Sequence, residues 1–206
     1  EIWRKFYKTL RGLPIIWVSI LLVVLVIPAI FAPIIAPHDP YEGDITNRLA
    51  VPVWYEGGSW DHILGTDRLG RDLLSRLIYG SRIAMFVSMT ALLISATIGT
   101  TLGLLSGWYG GWVDHIIQRL VDIKSSIPAI LLALIFVSIF GPSIFIAISI
   151  IAIFLWNRYT RLIRAETLSL RNQDFVARAK VAGCSTTRII MKHILPNVVN
   201  TLIVLA

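Results

Sequence analysis

Hydrophobic residues in this chain fall into long uninterrupted runs, and the polar segments between them differ in charge. Residues 13–36 contain no Asp, Glu, Lys, Arg or His, and the run is longer than the roughly 20 residues a helix needs to cross a bilayer. Residues 83–107 form a second such run, and residues 127–156 a third stretch without ionisable side chains. Within and around it, a third apolar run covers roughly 120–140 and, after the turn pair Gly141-Pro142, a fourth covers 143–157. Each segment predicts a membrane helix. Pro14 lies at the start of the first run, where it is tolerated, and Pro28 lies inside it and predicts a kink. The first run is too long for a signal-peptide core and lacks a small-residue cleavage site, so it reads as a retained helix.

The charge of the intervening segments predicts orientation. Residues 1–12 carry Arg4, Lys5, Lys8 and Arg11 with Trp3, Phe6 and Tyr7, the basic and aromatic flank expected on the cytoplasmic side of a first helix. Residues 37–82 form a long polar connection with Pro37, Pro40, Pro52 and Gly57-Gly58, and with seven acids against five bases. It is expected on the outside. Residues 108–125 are a short polar segment with Asp114, Arg119, Asp122 and Lys124. Residues 158–193 hold eight bases against only two acids, Glu166 and Asp174. Counting crossings from a cytoplasmic N-terminus also places this segment in the cytoplasm, so the two topology cues agree. The expected organisation is a flank at 1–12, a first transmembrane helix at 13–36, an extracytoplasmic loop at 37–82 and a core at 83–206 containing the loop 158–193. The closing apolar run, Ile194 to Ala206, is too short to span, and a C-terminal part of the membrane domain is expected to be missing.

Composition excludes several classes. Hydrophobic residues make up 56% and charged residues 15% of the chain, with mean hydropathy +0.75; soluble domains carry about 25% charged residues. The net charge of +7 is spread between apolar runs instead of forming a basic face, which excludes nucleic acid as a partner. Cys184 is the only cysteine, so no intrachain disulfide forms. His38, His62, His115 and His193 are far apart without metal-ligand spacing, and no metal site is expected. A Gly-x4-Gly-Lys-Ser/Thr phosphate loop is missing, and Leu105-Ser106-Gly107 is only a fragment of an ATPase signature at a helix end. With no Ser/His/Asp order and no paired carboxylates, no catalytic residue is expected. The uncharged membrane runs also argue against the main alternative, an ion-coupled carrier or channel, which would keep ionisable groups in the membrane.

Two local patterns stand out. Ala91, Ser95, Gly99, Gly103 and Gly107 recur every fourth residue, a stripe of small side chains that lets another helix approach closely. Asp174 to Gly183 reads as a short amphipathic helix, with Phe175, Val176, Ala179 and Ala182 on one side. Asn172 is the expected N-cap, Gly183 the left-handed stop, and Ser185 the cap of a second helix from Thr186 to Leu195, before Pro196 leads into the next membrane segment. Such a hairpin suits a partner's groove. It also suits a position on lipid headgroups.

The residues Ala177-Arg178-Ala179, then Gly183, then His193-Ile194-Leu195-Pro196 resemble the Glu-Ala-Ala loop of ABC importer permeases. The segment from Leu64-Gly65-Thr66-Asp67 to Tyr79-Gly80-Ser81-Arg82 is similar to the one preceding the second helix in dipeptide/oligopeptide permeases. The resemblance implies an all-α membrane protein with the type I ABC importer transmembrane fold and five to six transmembrane helices, in a prokaryotic inner membrane. It implies that Phe175, Val176, Ala177, Arg178, Ala179, Gly183, Leu195 and Pro196 belong to a coupling loop for an ABC ATPase, which would itself hold ATP and Mg. The other implied partners are a second permease subunit and an extracytoplasmic solute-binding protein. Ala177 stands where the motif has Glu, and Arg178 where it has Ala, so a salt bridge from that Glu is not expected here.

Overall fold

The computed structural model describes residues 15–205. The basic flank 1–12, the beginning of the first run with Pro14, and Ala206 lie outside the described residues. Two compact units are distinguished, residues 1–86 and 87–206.

In the first unit, α1 (Ile15–Ile35) is interrupted at Phe31, whose backbone leaves the helical region at φ −100°, ψ 17°. The kink expected at Pro28 therefore falls three residues later. Pro33 is the second cause: it also lacks an N–H, and its ring crowds the turn before it. The connection that follows is held mainly by polar side chains. Asp44 caps a single helical turn, Ile45–Asn47, and Ser59 caps another, Trp60–His62. The Asp67 carboxylate accepts from the backbone N–H groups of Leu69 and Arg71 and from the Arg71 guanidinium. Partial burial works against this carboxylate, but those hydrogen bonds prevail and lower its pKa to about 2. Asp72 accepts the Ser75 N–H at 2.7 Å and so caps α2 (Leu73–Tyr109).

The helix thus begins ten residues before the apolar run that announces it, and residues 73–82 are helical although their arginines make them read as loop. Arg76 reaches back to Asp67 at 3.5 Å, which accounts for one of those charges.

The second unit holds α3 (Gly111–Ser126), α4 (Ala129–Phe140), α5 (Ile144–Arg171), α6 (Asp174–Val181), α7 (Thr186–Ile189), a π turn (Ile190–Ile194) and α8 (Leu195–Leu205). The polar segment read at 108–125 is mostly helix α3. Ile127 is extended and Pro128 has no N–H to donate, so α3 and α4 meet at a bend of 84°. Among the described residues, α2 and α5 are long and apolar enough to cross a membrane, and α3 with α4 counts as a third span if the bent pair is one.

α5 does not stop where its apolar run ends. It continues through Arg171, because Tyr159, Thr160, Ile163 and Thr167 recur at helical spacing and are buried. They lie against the small-residue stripe of α2. A Cβ at Gly99 would overlap the Tyr159 Cβ; one at Gly103 would lie 2.7 Å from the Ile163 Cβ; and one at Gly107 would lie 2.7 Å from the Thr167 Cβ. Ala91 and Ser95, further along the stripe, are fully buried. Close backbone approach of this kind is how helices gain contact where lipid removes the hydrophobic drive.

α3 is tied to α5 by ion pairs and side-chain hydrogen bonds, among them Asn157 donating to Ser125 Oγ. Arg164 makes a bidentate pair with Asp114, with both distances 2.6 Å, and the same carboxylate accepts from Ser106 on α2. Arg161 meets Asp122 at 3.0 Å, and Lys124 donates to the Phe154 carbonyl at 2.7 Å and to Asn157. Two of the bases that gave 158–193 its positive balance are therefore committed to α3.

Candidate functional site

The hairpin α6–α7 is built from local signals. α6 ends in a Schellman motif: the Cys184 N–H bonds the Ala179 carbonyl, and the Gly183 N–H bonds the Lys180 carbonyl, each at 3.0 Å. This closure requires Gly183 at φ +76°, a region costly for residues with a Cβ. A Cβ at Gly183 would have nothing within 4 Å. Ser185 then caps α7 by accepting the Arg188 N–H.

Two details differ from the sequence expectation. Because α5 runs on through Arg171, Asn172 closes α5, and Gln173 occupies the N-cap of α6 without a side-chain hydrogen bond. Ala182 is exposed, since α6 ends at Val181 and Ala182 is where the backbone departs from the helical path.

The second helix also differs. It does not end at Leu195 but continues through a π turn into α8, with Pro196 inside the helix. Pro196 has no N–H and crowds the preceding turn. The wider turn before it, closed by the Leu195 N–H on the Ile190 carbonyl, accommodates that ring.

The hairpin has two faces. Inward, Val176, Ile189, Ile194 and Val198 are buried with Leu104, Trp108 and Ile163, and Phe175, Ala179 and Leu195 pack against them at the edge. Phe175 also stacks near His193, with ring centroids 6.4 Å apart. Outward lie Ala177, Arg178, Gly183 and Val181, the last 91% exposed. Pro196 is exposed as well.

Sequence reasoning missed the two cations that lock this arrangement. Arg171 donates to the Trp108 carbonyl at 2.7 Å and so caps the carbonyl end of α2. Lys180 sits 5.1 Å from the centre of the Trp108 ring. Of the eight bases in 158–193, Arg161, Arg164, Arg171 and Lys180 thus have internal partners, while Arg158, Arg178, Arg188 and Lys192 are exposed. The geometry of the site is that of a surface projection packed on one face and exposed on the other.

The first unit carries a different cluster. The separation of the histidines along the chain does not persist in space: His38 and His62 have ring centroids 4.8 Å apart, and both face Asp72.

Comparison with known proteins supplies the family. Residues 99–206 match the model of the binding-protein-dependent transport system inner membrane component. The dipeptide transport system permease protein of Haemophilus influenzae is 46% identical over 204 residues, covering 99% of this chain and 68% of that protein. The di/tripeptide transport system permease protein of Pseudomonas aeruginosa is 38% identical over 209 residues, covering 100% and 67%. A glutathione transport system permease protein of Escherichia coli is 37% identical over 207 residues, covering 99% and 65%. The described helices are those of an all-α type I ABC importer transmembrane domain, and the chain belongs to the binding-protein-dependent transport system inner membrane component family, in its dipeptide and oligopeptide permease branch.

Proposed function

We propose that this chain is one permease subunit of an ATP-driven importer of dipeptides or related short peptides, and that the outward face of α6–α7 seats in a cytoplasmic ABC ATPase subunit. The observation that carries the reading is the two-faced hairpin. Its inner face is fixed by a fully buried Val176 and by Arg171 and Lys180 on Trp108. Its outer face leaves Val181 91% exposed on a segment of mainly basic charge. A rigid projection with an exposed apolar tip can transmit a push; one lying loosely on headgroups cannot.

The basic excess of 158–193 orients this hairpin to the cytoplasm, with the N-terminus on the same side and the connection 36–72 outside. A second permease subunit completes the pathway, and an extracytoplasmic solute-binding protein delivers the peptide. ATP and Mg bind to the ATPase. ATP drives the cycle by binding one conformation better than the other, and the hairpin carries that difference into α2 and α5. Ala177 replaces the motif's Glu, so seating rests on shape and apolar contact more than on that charge.

Purification from mild detergent tests the reading. A stoichiometric ATPase subunit is expected with the parent, and Gly183→Val is expected to reach the membrane while uptake falls relative to ATP hydrolysis. Peptide uptake by this chain in vesicles lacking any ATPase would refute the reading and favour a gradient-driven carrier.

A further inference from the structure

We infer that His38, His62 and Asp72 form a binding site for a divalent transition-metal ion of the Zn²⁺ type, which pins the polar connection between α1 and α2. The inference is independent of the ATPase reading.

One ligand atom from each of the three residues lies within 4.8 Å of the others. His62 Nδ1 is 3.0 Å from Asp72 Oδ1, and His38 Nδ1 is 4.0 Å from Asp72 Oδ2. Helix capping explains only part of this. Asp72 caps α2 through Oδ2, and Oδ1 pairs with His62. His38 Nδ1 is too far from the carboxylate for a hydrogen bond, yet its ring is held against the His62 ring at 4.8 Å and 37°. Its place is set by its own backbone, whose N–H donates to Ser75 Oγ at 3.0 Å.

Ligands of a tetrahedral Zn²⁺ with bonds of ~2.0–2.1 Å stand about 3.3 Å apart, so shifts of an ångström or so would complete the site. Two imidazoles and one carboxylate suit a borderline transition ion; Mg²⁺ and Ca²⁺ prefer all-oxygen shells. The fourth position is left for water. The same residues line a cavity of about 430 Å³, and Asp39, Glu42 and Asp61 on its wall give it the negative field that concentrates cations. His38 follows the end of α1 by three residues and Asp72 immediately precedes α2, so one ion would join the two ends of the connection.

The test uses the full chain in detergent, purified without a polyhistidine tag and stripped with a chelator, then titrated with Zn²⁺ against a chromophoric competitor at pH 7.5. One equivalent is expected with Kd near or below about 1 μM. His38→Ala and His62→Ala should each weaken it at least about tenfold, Asp72→Asn should do so while retaining a cap acceptor, and His115→Ala and His193→Ala should leave it unchanged. Zn²⁺ should raise the Tm of the parent and not that of His62→Ala. A folded parent without saturable Zn²⁺ binding, or parent-strength binding in the folded His38→Ala and His62→Ala variants, would overturn the inference.

Discussion

Gly70 in the polar connection and Gly183 in the hairpin have nearly the same backbone angle, φ +72° and +76°, and opposite surroundings. A Cβ at Gly70 would overlap the Asp44 carbonyl oxygen, whereas one at Gly183 would meet nothing within 4 Å. The difference separates two kinds of segment. The connection is closed on itself: Asp44 and Asp67 spend their carboxylates on turns within it, and Asp72 joins it to α2 through Ser75 and to His62. The hairpin is closed on one side only. Its inner face joins an apolar core, and its outer face has no packing partner among the described residues. The first kind maintains its own shape; the second holds a surface ready for something else.

The contrast can be broken most sharply at the closed positions. Gly70→Val forces both a left-handed Val and a collision with backbone that cannot yield, and is expected to cost about 3 kcal/mol or more, read as loss of folded protein in detergent. Val176→Asp places an unpaired charge in a site with no exposure and is expected to destabilise by a similar amount, about 3 kcal/mol. Survival of either variant with parental Tm would show that these segments are less fixed than described.

Substitutions on the exposed side of the hairpin cost less. Gly183→Val meets open space, so only backbone strain of roughly 1–2 kcal/mol applies; the protein should fold, with its defect confined to ATPase coupling. Val181→Asp, at the exposed tip, should change Tm within about 0.5 kcal/mol equivalent while weakening ATPase association. A large Tm loss in Val181→Asp would mean that the outer face packs within this chain.

The smallest effect is a pH response of the connection. The Asp67 pKa is about 2 in the folded chain against an ordinary 3.8. Its stabilisation is therefore present above pH ~4 and is lost as pH falls toward 2. The protection of the Leu69 and Arg71 amides against hydrogen exchange, each rate taken relative to its intrinsic value at the same pH, should fall in the parent from pH 5 to 2.5, and Asp67→Asn should flatten that response.

What the sequence revealed follows the range of the forces involved. The hairpin was legible because its signals are local: a glycine at the left-handed position, Ser185 at a cap, and apolar residues three and four apart. The stripe from Ala91 to Gly107 was legible for the same reason, although the face of α5 that meets it was not. The end of α5 was misplaced because Arg161 and Arg164 look like loop charges until Asp122 and Asp114 appear opposite them, 39 and 50 residues away in sequence. The start of α2 was misplaced because its cap, Asp72, precedes a charged first turn instead of an apolar one. The His38–His62–Asp72 cluster was invisible for a related reason, since a proline-rich connection brings its members together without regular spacing.

The proposed seat of an ATPase subunit is the outer face of α6–α7. Its most direct test is cross-linking from Val181→Cys in a Cys184→Ser background, with the assembled transporter in native membranes. A cross-link to the ATPase subunit, lengthened or lost when ATP is bound, is the predicted result. Labelling of Val181→Cys by lipid-restricted reagents, with no ATPase adduct in an assembly that still transports, would contradict it.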